Sequence, residues 1–400
     1  MRYNRKINQE AENMQKETLK KRRKNSPLRW FHKKLMAILP IVIAAVFVLN
    51  LAVPDREFSD KENRNLAALP KLSGQTIADG SFFTGLSNYW SDQFFLRDAC
   101  IRVRLAALKL IGIRKSGNIY LGRDGYLLQE PALPDQEALD NSIQAINSFT
   151  SANSGVNSYM LMVPGAASIL DDKLPADAPV RDQIPDISQV TDRLQGVTVL
   201  DAASALKAEK EDYIFYRTDH HWTTAGAEKV YEGIAGQMGL PETLSGSSHV
   251  VCKNFQGTLS SGSGSVSSED TITVYQPDDT DVKWLVTYPD TGKKSVSFFD
   301  SSKLDTNDKY AVFFGGNHPL VRIETTNRND KVLLVFKDSY ANCFIPFLVP
   351  DYQKIIMVDP RYYYDSLSSL MTTEGVTDVL YLYSANTFMQ DKSLADVLGS

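Results

Sequence analysis

The chain has 400 residues, 43% of them hydrophobic and 23% charged, so its composition excludes wholesale disorder and leaves room for a large core. The net charge of −5 is unevenly distributed, because residues 1–34 carry a net charge of +9 and the remaining residues carry −14. A disulfide framework and a zinc pattern are excluded, because the widely spaced Cys100, Cys252 and Cys343 allow one disulfide at most.

An uncharged apolar segment, LMAILPIVIAAVFVLNLAV (35–53), follows the basic arm. As a helix it would extend about 28 Å, close to the hydrocarbon core of a bilayer. The flanking charges predict a cytoplasmic basic arm at 1–34, a single transmembrane helix at 35–53 and an extracytoplasmic body from residue 54. This favours a membrane surface over nucleic acid as the partner of the arm. The alternative, a cleaved signal peptide, requires shorter basic and apolar stretches and a small-residue cleavage site.

Residues 54–130 are predicted to form an extracytoplasmic stalk followed by a helical and hairpin lead-in. Residues 87–113 carry apolar side chains at helical spacing. The segment GNIYLGRDGYLL (117–128) has two apolar stretches around Arg123-Asp124-Gly125, and this pattern predicts a β-hairpin with its turn at these three residues.

From residue 131 to the C-terminus, helical segments alternate with buried strands, which is the pattern of an α/β domain. The apolar runs at 332–336, 355–358 and 379–382 predict central parallel strands, since helical segments separate them. Right-handed crossovers would join these strands into a doubly wound parallel sheet.

Residues 241–310 interrupt this alternation and are predicted to be an inserted β region. Serine and glycine dominate residues 257–270, which indicates a long mobile loop. Three segments have the composition of strands: 271–277, 282–289 and 295–300. A further strand is predicted just after them, at 312–314.

The segment TDHHWTT (218–224) is the first candidate for chemistry. Asp219 and His221 lie two residues apart in a non-helical stretch, so their side chains can point the same way and the carboxylate can hold an imidazole N–H. Trp222 is predicted to wall a pocket beside them. The alternatives are a hydrogen-bonded cap of the following helix and a metal site formed by Asp219, His220 and His221.

The second candidate is Ser339, which follows the predicted buried strand at 332–336. A serine at the turn from a strand to a helix is exposed at the carboxyl edge of the sheet. Its own N–H and that of Tyr340 would lie near a helix N-terminus, where they can receive an oxyanion. The alternative is that Asp338 and Ser339 only cap the helix.

Other polar residues follow predicted strands and are expected at the same edge of the sheet. Asn317 and Asn386 can each donate a further hydrogen bond to an oxyanion, and the alternative for both is a simple turn residue. Arg361 either binds an anion or pairs with Asp359.

Several segments together resemble the signature blocks of the DHHW protein family: TDHHWTTAGA (218–227), GGNHPL (315–320), KDSYANCFIPFL (337–348) and DPRYYY (359–364). The similarity extends from the region of Phe58 to the C-terminus. That family resembles the SGNH-hydrolase-like proteins of alginate and cell-wall O-acetylation, in which an Asp-x-His-Trp element precedes the serine block, a permuted motif order. Lys337 stands where the family usually has a glycine.

By this resemblance Ser339 is the nucleophile, His221 the base, Asp219 the orienting acid and Asn386 an oxyanion donor. The resemblance implies an SGNH-hydrolase-like domain at 131–400, and an O-acetyltransferase or acetylesterase that forms an acetyl-serine without any metal or organic cofactor. The implied partners are a polysaccharide acceptor and a multispanning membrane acyltransferase that supplies the acetyl group. The alternative is a non-enzymatic glycan-binding or scaffold protein of the cell envelope.

Overall fold

The computed structural model describes residues 12–17, 27–59, 64–266, 268–278 and 282–400. Most of the basic arm predicted at 1–34 therefore lies outside the described residues. The described chain forms two compact units. One contains residues up to 58 together with 65–97, and the other contains 59–64 together with 98–400.

Helices and strands are numbered along the whole chain, and they alternate along most of the second unit. The helices of the two units are α1 (Pro27–Ala52), α2 (Gly74–Ala78), α3 (Ser81–Gln93), α4 (Arg97–Leu110), α5 (Gln136–Ala152), α6 (Ala166–Ile169), α7 (Ile184–Thr191), α8 (Ala202–Ala208), α9 (Thr224–Ile234), α10 (Thr258–Ser263), α11 (Ala341–Leu348), α12 (Leu367–Glu374), α13 (Ala385–Phe388) and α14 (Ser393–Leu398). The strands are β1 (Phe58–Ser59), β2 (Arg64–Asn65), β3 (Lys115–Ser116), β4 (Ile119–Leu121), β5 (Leu127–Gln129), β6 (Asn157–Val163), β7 (Thr198–Leu200), β8 (Gly246–Phe255), β9 (Asp270–Pro277), β10 (Trp284–Tyr288), β11 (Lys293–Ser295), β12 (Leu320–Thr325), β13 (Val332–Lys337), β14 (Lys354–Val358) and β15 (Asp378–Ser384).

The first unit contains α1, α2 and α3, and buried polar side chains connect its segments. Asn50 Oδ1 in α1 accepts a hydrogen bond from the Phe95 N–H over 3.1 Å, and Gln93 Nε2 in α3 donates to the Arg56 carbonyl over 2.8 Å. The membrane span predicted at 35–53 falls within α1. Across the residues that the structure describes, no helix is both long enough and apolar enough to cross a membrane, and the predicted span is not confirmed.

The second unit is built on an eight-stranded sheet with the strand order β11-β10-β12-β14-β13-β15-β6-β7. The strands from β14 to β7 run parallel to one another. The other strands, β12, β10 and β11, are added antiparallel at one side. The predicted doubly wound parallel sheet is therefore correct for the centre and wrong for this side, and the whole sheet is mixed.

Both faces of the central strands are buried, which explains their continuous apolar sequences. In β13, Leu333 and Val335 face one hydrophobic core, whereas Leu334 and Phe336 face the other. Such strands cannot show the alternation of polar and apolar residues that marks a half-exposed sheet. The predicted β-α-β-α-β order of the C-terminal part is confirmed as β13, α11, β14, α12 and β15.

The predicted inserted β region is divided between two sheets. Strands β8 and β9 form a separate antiparallel pair, whereas β10 and β11 extend the main sheet. The strand predicted at 295–300 is wrong beyond Ser295, because Phe299 makes only an isolated bridge to Phe313. The strand predicted at 312–314 is also wrong, since a 3₁₀ turn covers Lys309–Val312.

The serine-rich segment 257–270 is not the long loop predicted from its composition. It contains the helix α10, and the side chains of Ser260 and Ser263 are buried. The Ser263 hydroxyl donates to the Leu259 carbonyl over 2.7 Å, so the backbone of the segment itself satisfies this small polar group. Serine and glycine allow close packing here, and their abundance indicated mobility wrongly.

The lead-in confirms one prediction and corrects another. The hairpin predicted at 117–128 is formed by β4 and β5, and its turn places Asp124 and Gly125 at positive φ angles of 53° and 80°. The single helical segment predicted at 87–113 is divided into α3 and α4. All three cysteines lie among the described residues and are free, so the disulfide that the sequence allowed is not formed.

Candidate active site

Asp219, His221 and Ser339 form a continuous hydrogen-bonded chain. His221 Nε2 lies 2.7 Å from Ser339 Oγ, and His221 Nδ1 lies 2.5 Å from Asp219 Oδ1. Asp219 and His221 are almost fully buried, whereas Ser339 is partly exposed. A hydroxyl, an imidazole and a carboxylate in this order can transfer a proton from the hydroxyl and stabilise the imidazolium that results.

The sheet positions Ser339. Strand β13 ends at Lys337, and α11 begins at Ala341, so Ser339 lies in a short turn at the carboxyl edge of the parallel strands. The Asp338 carboxylate fastens this turn to the neighbouring strand β15, because its Oδ2 accepts hydrogen bonds from the Ser384 N–H over 3.0 Å and the Ser384 hydroxyl over 2.7 Å.

Side chains and amides from the inserted region position Asp219 and its neighbours. The buried Asp270 carboxylate accepts hydrogen bonds from the Arg217 N–H over 2.8 Å and from the Thr218 N–H over 2.7 Å. Asp219 Oδ2 accepts hydrogen bonds from the N–H and the hydroxyl of Thr258, over 2.9 and 3.0 Å. The remaining carboxylate oxygen, Oδ1, is then directed at His221.

Gly257 has to be glycine because of its contact with Asp219. A Cβ atom on residue 257 would lie 2.3 Å from Asp219 Cβ and 2.4 Å from Asp219 Oδ2. No side chain fits in this space without displacing the carboxylate. The start of α10 therefore packs directly against the acid of the site.

The pKa values of Asp219 and His220, the two groups beside His221, are both lowered, which favours a charged carboxylate and a neutral imidazole. Burial alone would raise the pKa of Asp219, but the His220 and His221 rings and the hydrogen bonds from His221 and Thr258 outweigh it and hold the pKa well below its usual range. Burial, together with the adjacent His221 ring, lowers the pKa of His220 to about 4. The carboxylate stays charged and His220 stays neutral near pH 7.

The imidazole of His221 lies between two other rings. Tyr310 stacks against one face with a centroid separation of 3.8 Å and an interplanar angle of 11°. His220 covers the other face with a centroid separation of 3.9 Å. Packing on both faces restricts rotation of His221 and keeps its Nε2 directed at Ser339.

The predicted oxyanion donors differ in their availability. The N–H of Ser339 has no acceptor among the described residues, whereas the N–H of Tyr340 donates to Asp338 Oδ1 over 2.9 Å. Asn386 follows β15, the neighbour of β13. Its Oδ1 accepts hydrogen bonds from Gln183 Nε2 over 2.8 Å and from a backbone N–H over 2.9 Å. Because both of these hydrogen bonds use Oδ1, the amide NH₂ of Asn386 stays available as a hydrogen-bond donor.

Lys337, at the position where the family usually has a glycine, extends its side chain into the protein interior. Its Nζ donates to Asn317 Oδ1 over 3.2 Å and lies 3.5 Å from the fully buried Asp359 carboxylate. Burial lowers the pKa of Lys337, although the Asp359 charge opposes that shift. Arg361, a candidate anion-binding residue, pairs with Asp359 over 2.6 and 2.8 Å. The larger side chain thus belongs to a buried charge network beneath the Ser339 turn.

Trp222, predicted to wall a pocket, is instead fully buried. Its Nε1 donates to the Tyr340 carbonyl over 2.9 Å, and its ring stacks on Phe344 of α11. The tryptophan connects the segment that carries His221 to the turn that carries Ser339. Its contribution is to hold these two parts of the site together.

Asp219, His220 and His221 also satisfy the distance requirement of a metal site, since one ligand atom from each lies within 4.8 Å of the others. Three of the candidate ligand atoms already have partners. His221 Nδ1 and Asp219 Oδ1 are hydrogen-bonded to each other, and His220 Nδ1 lies 2.9 Å from the Thr258 hydroxyl. A metal ion would have to break these hydrogen bonds, so the arrangement fits proton transfer better than metal ligation.

A cleft of about 450 Å³, lined by both polar and apolar residues, lies beside the segments that support the acid and the base. It is lined by amide and charged side chains, among them Asn254, Gln256, Asn307 and Lys309. Gln256 precedes the Gly257–Thr258 segment that contacts Asp219, and Lys309 precedes Tyr310, which stacks on His221. Such a lining offers many hydrogen-bond donors and acceptors to a polar ligand.

The comparisons with known proteins agree with this arrangement. The family model described as the SGNH hydrolase-like domain of the acetyltransferase AlgX matches residues 119–303, which include Asp219 and His221. Residues 119–303, just under half of the chain, therefore resemble an SGNH hydrolase-like domain. The resemblance to this group and to the DHHW family, predicted from the sequence, is confirmed. The search of curated proteins gives no match.

Two solved structures are similar to the SGNH hydrolase-like domain. A DHHW family protein from Eubacterium siraeum is 26% identical, with a TM-score of 0.59, over 69% of this chain and 92% of that one. Bacillus cereus PatB1, solved with a sulfonyl adduct, is 20% identical, with a TM-score of 0.59, over 68% of this chain and 97% of that one. The second likeness shows a shared fold.

Sequence reasoning missed several residues that support the SGNH hydrolase-like site. Thr258 and Asp270 lie in the segment interpreted as a loop, and Gln183 lies in a stretch without any motif. Tyr310 precedes a predicted strand that is not formed. For Asp270, the available sequence signal was an acidic residue at the end of a stretch rich in serine and glycine. For Gln183 and Tyr310 the sequence carries none.

Proposed function

We propose that the SGNH hydrolase-like domain is a serine-dependent O-acetyltransferase or acetylesterase, with Ser339 as nucleophile, His221 as base and Asp219 as orienting acid. The observation that carries the proposal is the unbroken hydrogen-bonded chain from Ser339 Oγ through His221 to Asp219. The relationship to an acetyltransferase domain supports the acyl group as the one transferred.

In the first half of the reaction, His221 Nε2 takes the proton of Ser339 while the serine oxygen attacks the carbonyl carbon of an acetyl ester. The negative charge on the carbonyl oxygen is stabilised by the N–H of Ser339 and the amide NH₂ of Asn386. His221 then gives its proton to the leaving oxygen, and acetyl-Ser339 remains. Each oxyanion donor lowers the activation barrier by about 3–4 kcal/mol, and the base accelerates the reaction by a factor of about 10²–10⁴.

In the second half, a hydroxyl takes the place of the leaving group. His221 removes its proton, the oxygen attacks the acetyl carbon, and Ser339 regains its proton. We propose a sugar hydroxyl of a cell-envelope or exported polysaccharide as the acceptor, bound along the cleft beside Gln256 and Lys309. Water in the same position would give an acetylesterase.

The source of the acetyl group and the location of the domain are also proposals. A multispanning membrane acyltransferase would present the acetyl group to an extracytoplasmic SGNH hydrolase-like domain, and the basic arm at 1–34 would keep the chain near anionic lipid. The location depends on the charge asymmetry of the sequence, whereas the acetyl source depends on the family resemblance.

The test is the release of acetyl groups from 4-nitrophenyl acetate by the full chain and by Ser339→Ala. We expect the variant to lose more than about 10³-fold in rate and to lose labelling by a fluorophosphonate probe. Ser188→Ala, at an exposed position on α7, is the matched control and should retain both. Equal rates for the wild type and Ser339→Ala would refute the proposal and favour a glycan-binding or scaffold protein.

A further inference from the structure

His220 lies beside the proposed base, yet the proton transfers above do not use it. Its ring lies 3.9 Å from the His221 ring, centroid to centroid, and about a third of its side chain (32%) is exposed. Its Nδ1 lies 2.9 Å from the Thr258 hydroxyl. A histidine that is open to solvent at the mouth of the site can contact a substrate directly.

The hydrogen bonds around Thr258 decide which nitrogen of His220 carries the proton. Asp219 Oδ2 lies 3.0 Å from the Thr258 hydroxyl and, as a charged carboxylate oxygen, can only accept. The single hydroxyl hydrogen therefore goes to Asp219, and the same oxygen can only accept from His220. Nδ1 of His220 must be the donor, so its Nε2 carries a free lone pair.

That lone pair points away from the Asp219–Thr258 end of the site. The two nitrogens of an imidazole point in nearly opposite directions, and the Nδ1 atoms of both His220 and His221 face the Asp219–Thr258 end. Both Nε2 atoms therefore point away from that end, and for His221 this is the direction of Ser339. His220 Nε2 accepts no hydrogen bond from any residue that the structure describes and is not enclosed.

We propose that His220 Nε2 accepts a hydrogen bond from the hydroxyl next to the attacking hydroxyl, so that the adjacent pair His220–His221 selects vicinal diols of a sugar ring. The inference rests on the function proposed above and specifies its acceptor. Neighbouring ring hydroxyls are spaced closely enough to reach two imidazoles whose centroids are 3.9 Å apart. Water and simple alcohols lack the second hydroxyl, so His220 favours transfer to a sugar over hydrolysis.

The transfer step is balanced without any further reactant. The proton of the attacking hydroxyl passes to His221 Nε2, a new ester bond forms between that oxygen and the acetyl carbon, and the bond from the acetyl carbon to Ser339 Oγ breaks. The proton on His221 then returns to Ser339 Oγ. His220 takes no proton in this step, because it only holds the neighbouring hydroxyl.

The experiment measures how acetyl-Ser339 of the full chain is divided between acceptors. Acetylation is followed as the release of 4-nitrophenolate from 4-nitrophenyl acetate, and the ester products of cyclohexane-1,2-diol and cyclohexanol are quantified from a mixture. His220→Asn keeps an N–H in the position of Nδ1 and removes Nε2. His220→Gln is the complementary variant, because its amide oxygen can reach the position of Nε2.

We expect wild-type protein to prefer the diol over the mono-alcohol by about tenfold, the effect of one additional hydrogen bond. His220→Asn should lose this preference and fall to the statistical ratio of two hydroxyls against one, a ratio that is set after acetyl-Ser339 has formed and is therefore separate from any slowing of acetylation. His220→Gln should recover part of the preference. A structural role for His220 predicts instead that acetylation and transfer fall together.

Three outcomes would overturn the inference. The first is an unchanged diol preference in His220→Asn, and the second is an equal loss of acetylation and transfer in that variant. The third is a wild-type acetyl-enzyme that forms and reacts with water alone, which leaves an esterase and removes the diol. If wild-type Ser339 is never acetylated, the proposed function itself fails, and this result is distinct from the other three.

Discussion

The two halves of the site, the turn that carries Ser339 and the segment that carries Asp219 and His221, are supported in different ways. The serine half continues the central strand β13, and beneath it lies the buried network of Lys337, Asp359 and Arg361. The acid–base half belongs to no sheet of its own beyond one isolated bridge, and groups far along the chain hold it.

This difference predicts how each half responds to damage. Substitutions beneath the serine half alter the centre of the fold, so they should reduce stability more than they reduce the reaction rate. Changes around the acid–base half should displace Asp219 or His221 by a small distance while the sheet persists, so they should reduce the rate first. Four measurements can break or sharpen this contrast.

The largest effect is expected for Asp359→Asn, in the serine half. The substitution leaves the buried Lys337 ammonium without its anion, and losing one partner of a buried pair costs about 3–5 kcal/mol. Urea unfolding measures the loss. Arg361→Gln removes the more exposed partner, 31% exposed, and should cost no more than about 1 kcal/mol. Similar losses in the two variants would contradict a stability role centred on Lys337.

Next is Gly257→Ala, in the acid–base half. The new methyl group would overlap the Asp219 side chain, and the shift of the carboxylate should reduce kcat about 10²-fold with little change in the unfolding midpoint. Gly262→Ala is the matched control on the same helix, because its methyl group would meet only the flexible end of Ile119 at 3.1 Å. A variant that unfolds before it loses activity would remove the distinction between the halves.

The third effect is a pH dependence of stability in the acid–base half. The pKa of His220 is lowered to about 4 in the folded chain, whereas in the unfolded chain it returns to its ordinary value of about 6.5. Between these values the unfolded chain binds a proton that the folded chain does not, so stability falls as the pH is lowered through this window. Between pH 7 and 4, the free energy of unfolding of His220→Asn should fall by about 1–2 kcal/mol less than that of wild type, after allowance for solvent screening. Parallel stability curves from pH 7 to 4 would disprove this.

The smallest change is expected for metal removal, which should have no effect on the rate of acetyl release. The Nδ1 atoms of His220 and His221 and Oδ1 of Asp219 already have hydrogen-bond partners in the acid–base half. Dialysis against a chelator should therefore leave the acetyl-release rate unchanged. A rate that falls on chelation and returns with zinc would instead support the metal site considered from the sequence.

The sequence predicted the serine half better than the acid–base half, for a physical reason. A strand buried on both faces is continuously apolar, so β13, β14 and β15 could be located from hydrophobicity alone. Their parallel order then places whatever follows them at one edge, including Ser339 and Asn386. The sequence could not show that the Tyr340 N–H, a predicted oxyanion donor, donates to the Asp338 side chain, because that direction depends on a side-chain contact.

The support of the acid–base half could not be predicted, because it depends on tertiary contacts. Thr258 and Asp270 follow Asp219 by many residues, and local composition indicated a loop around them. In the serine-rich helix α10, the Leu259 carbonyl accepts a hydrogen bond from the buried Ser263 hydroxyl, an arrangement that composition alone does not reveal. The antiparallel edge of the sheet was missed similarly, because β10 and β12 pair across a long connection.

The hydrogen bonds to the Asp270 carboxylate matter for anyone who transplants the 218–222 motif or searches for it in other proteins. Four donors from Tyr213, Arg217 and Thr218 converge on that one carboxylate, so the short motif takes its shape from an anion encoded some fifty positions later. Grafting residues 218–222 alone onto another scaffold would transfer the sequence of the motif without the arrangement of Asp219 and His221 that the proposed activity requires. A design, or a search for distant relatives, should therefore treat the motif and the stretch from Gly257 to Asp270 as one inseparable cassette.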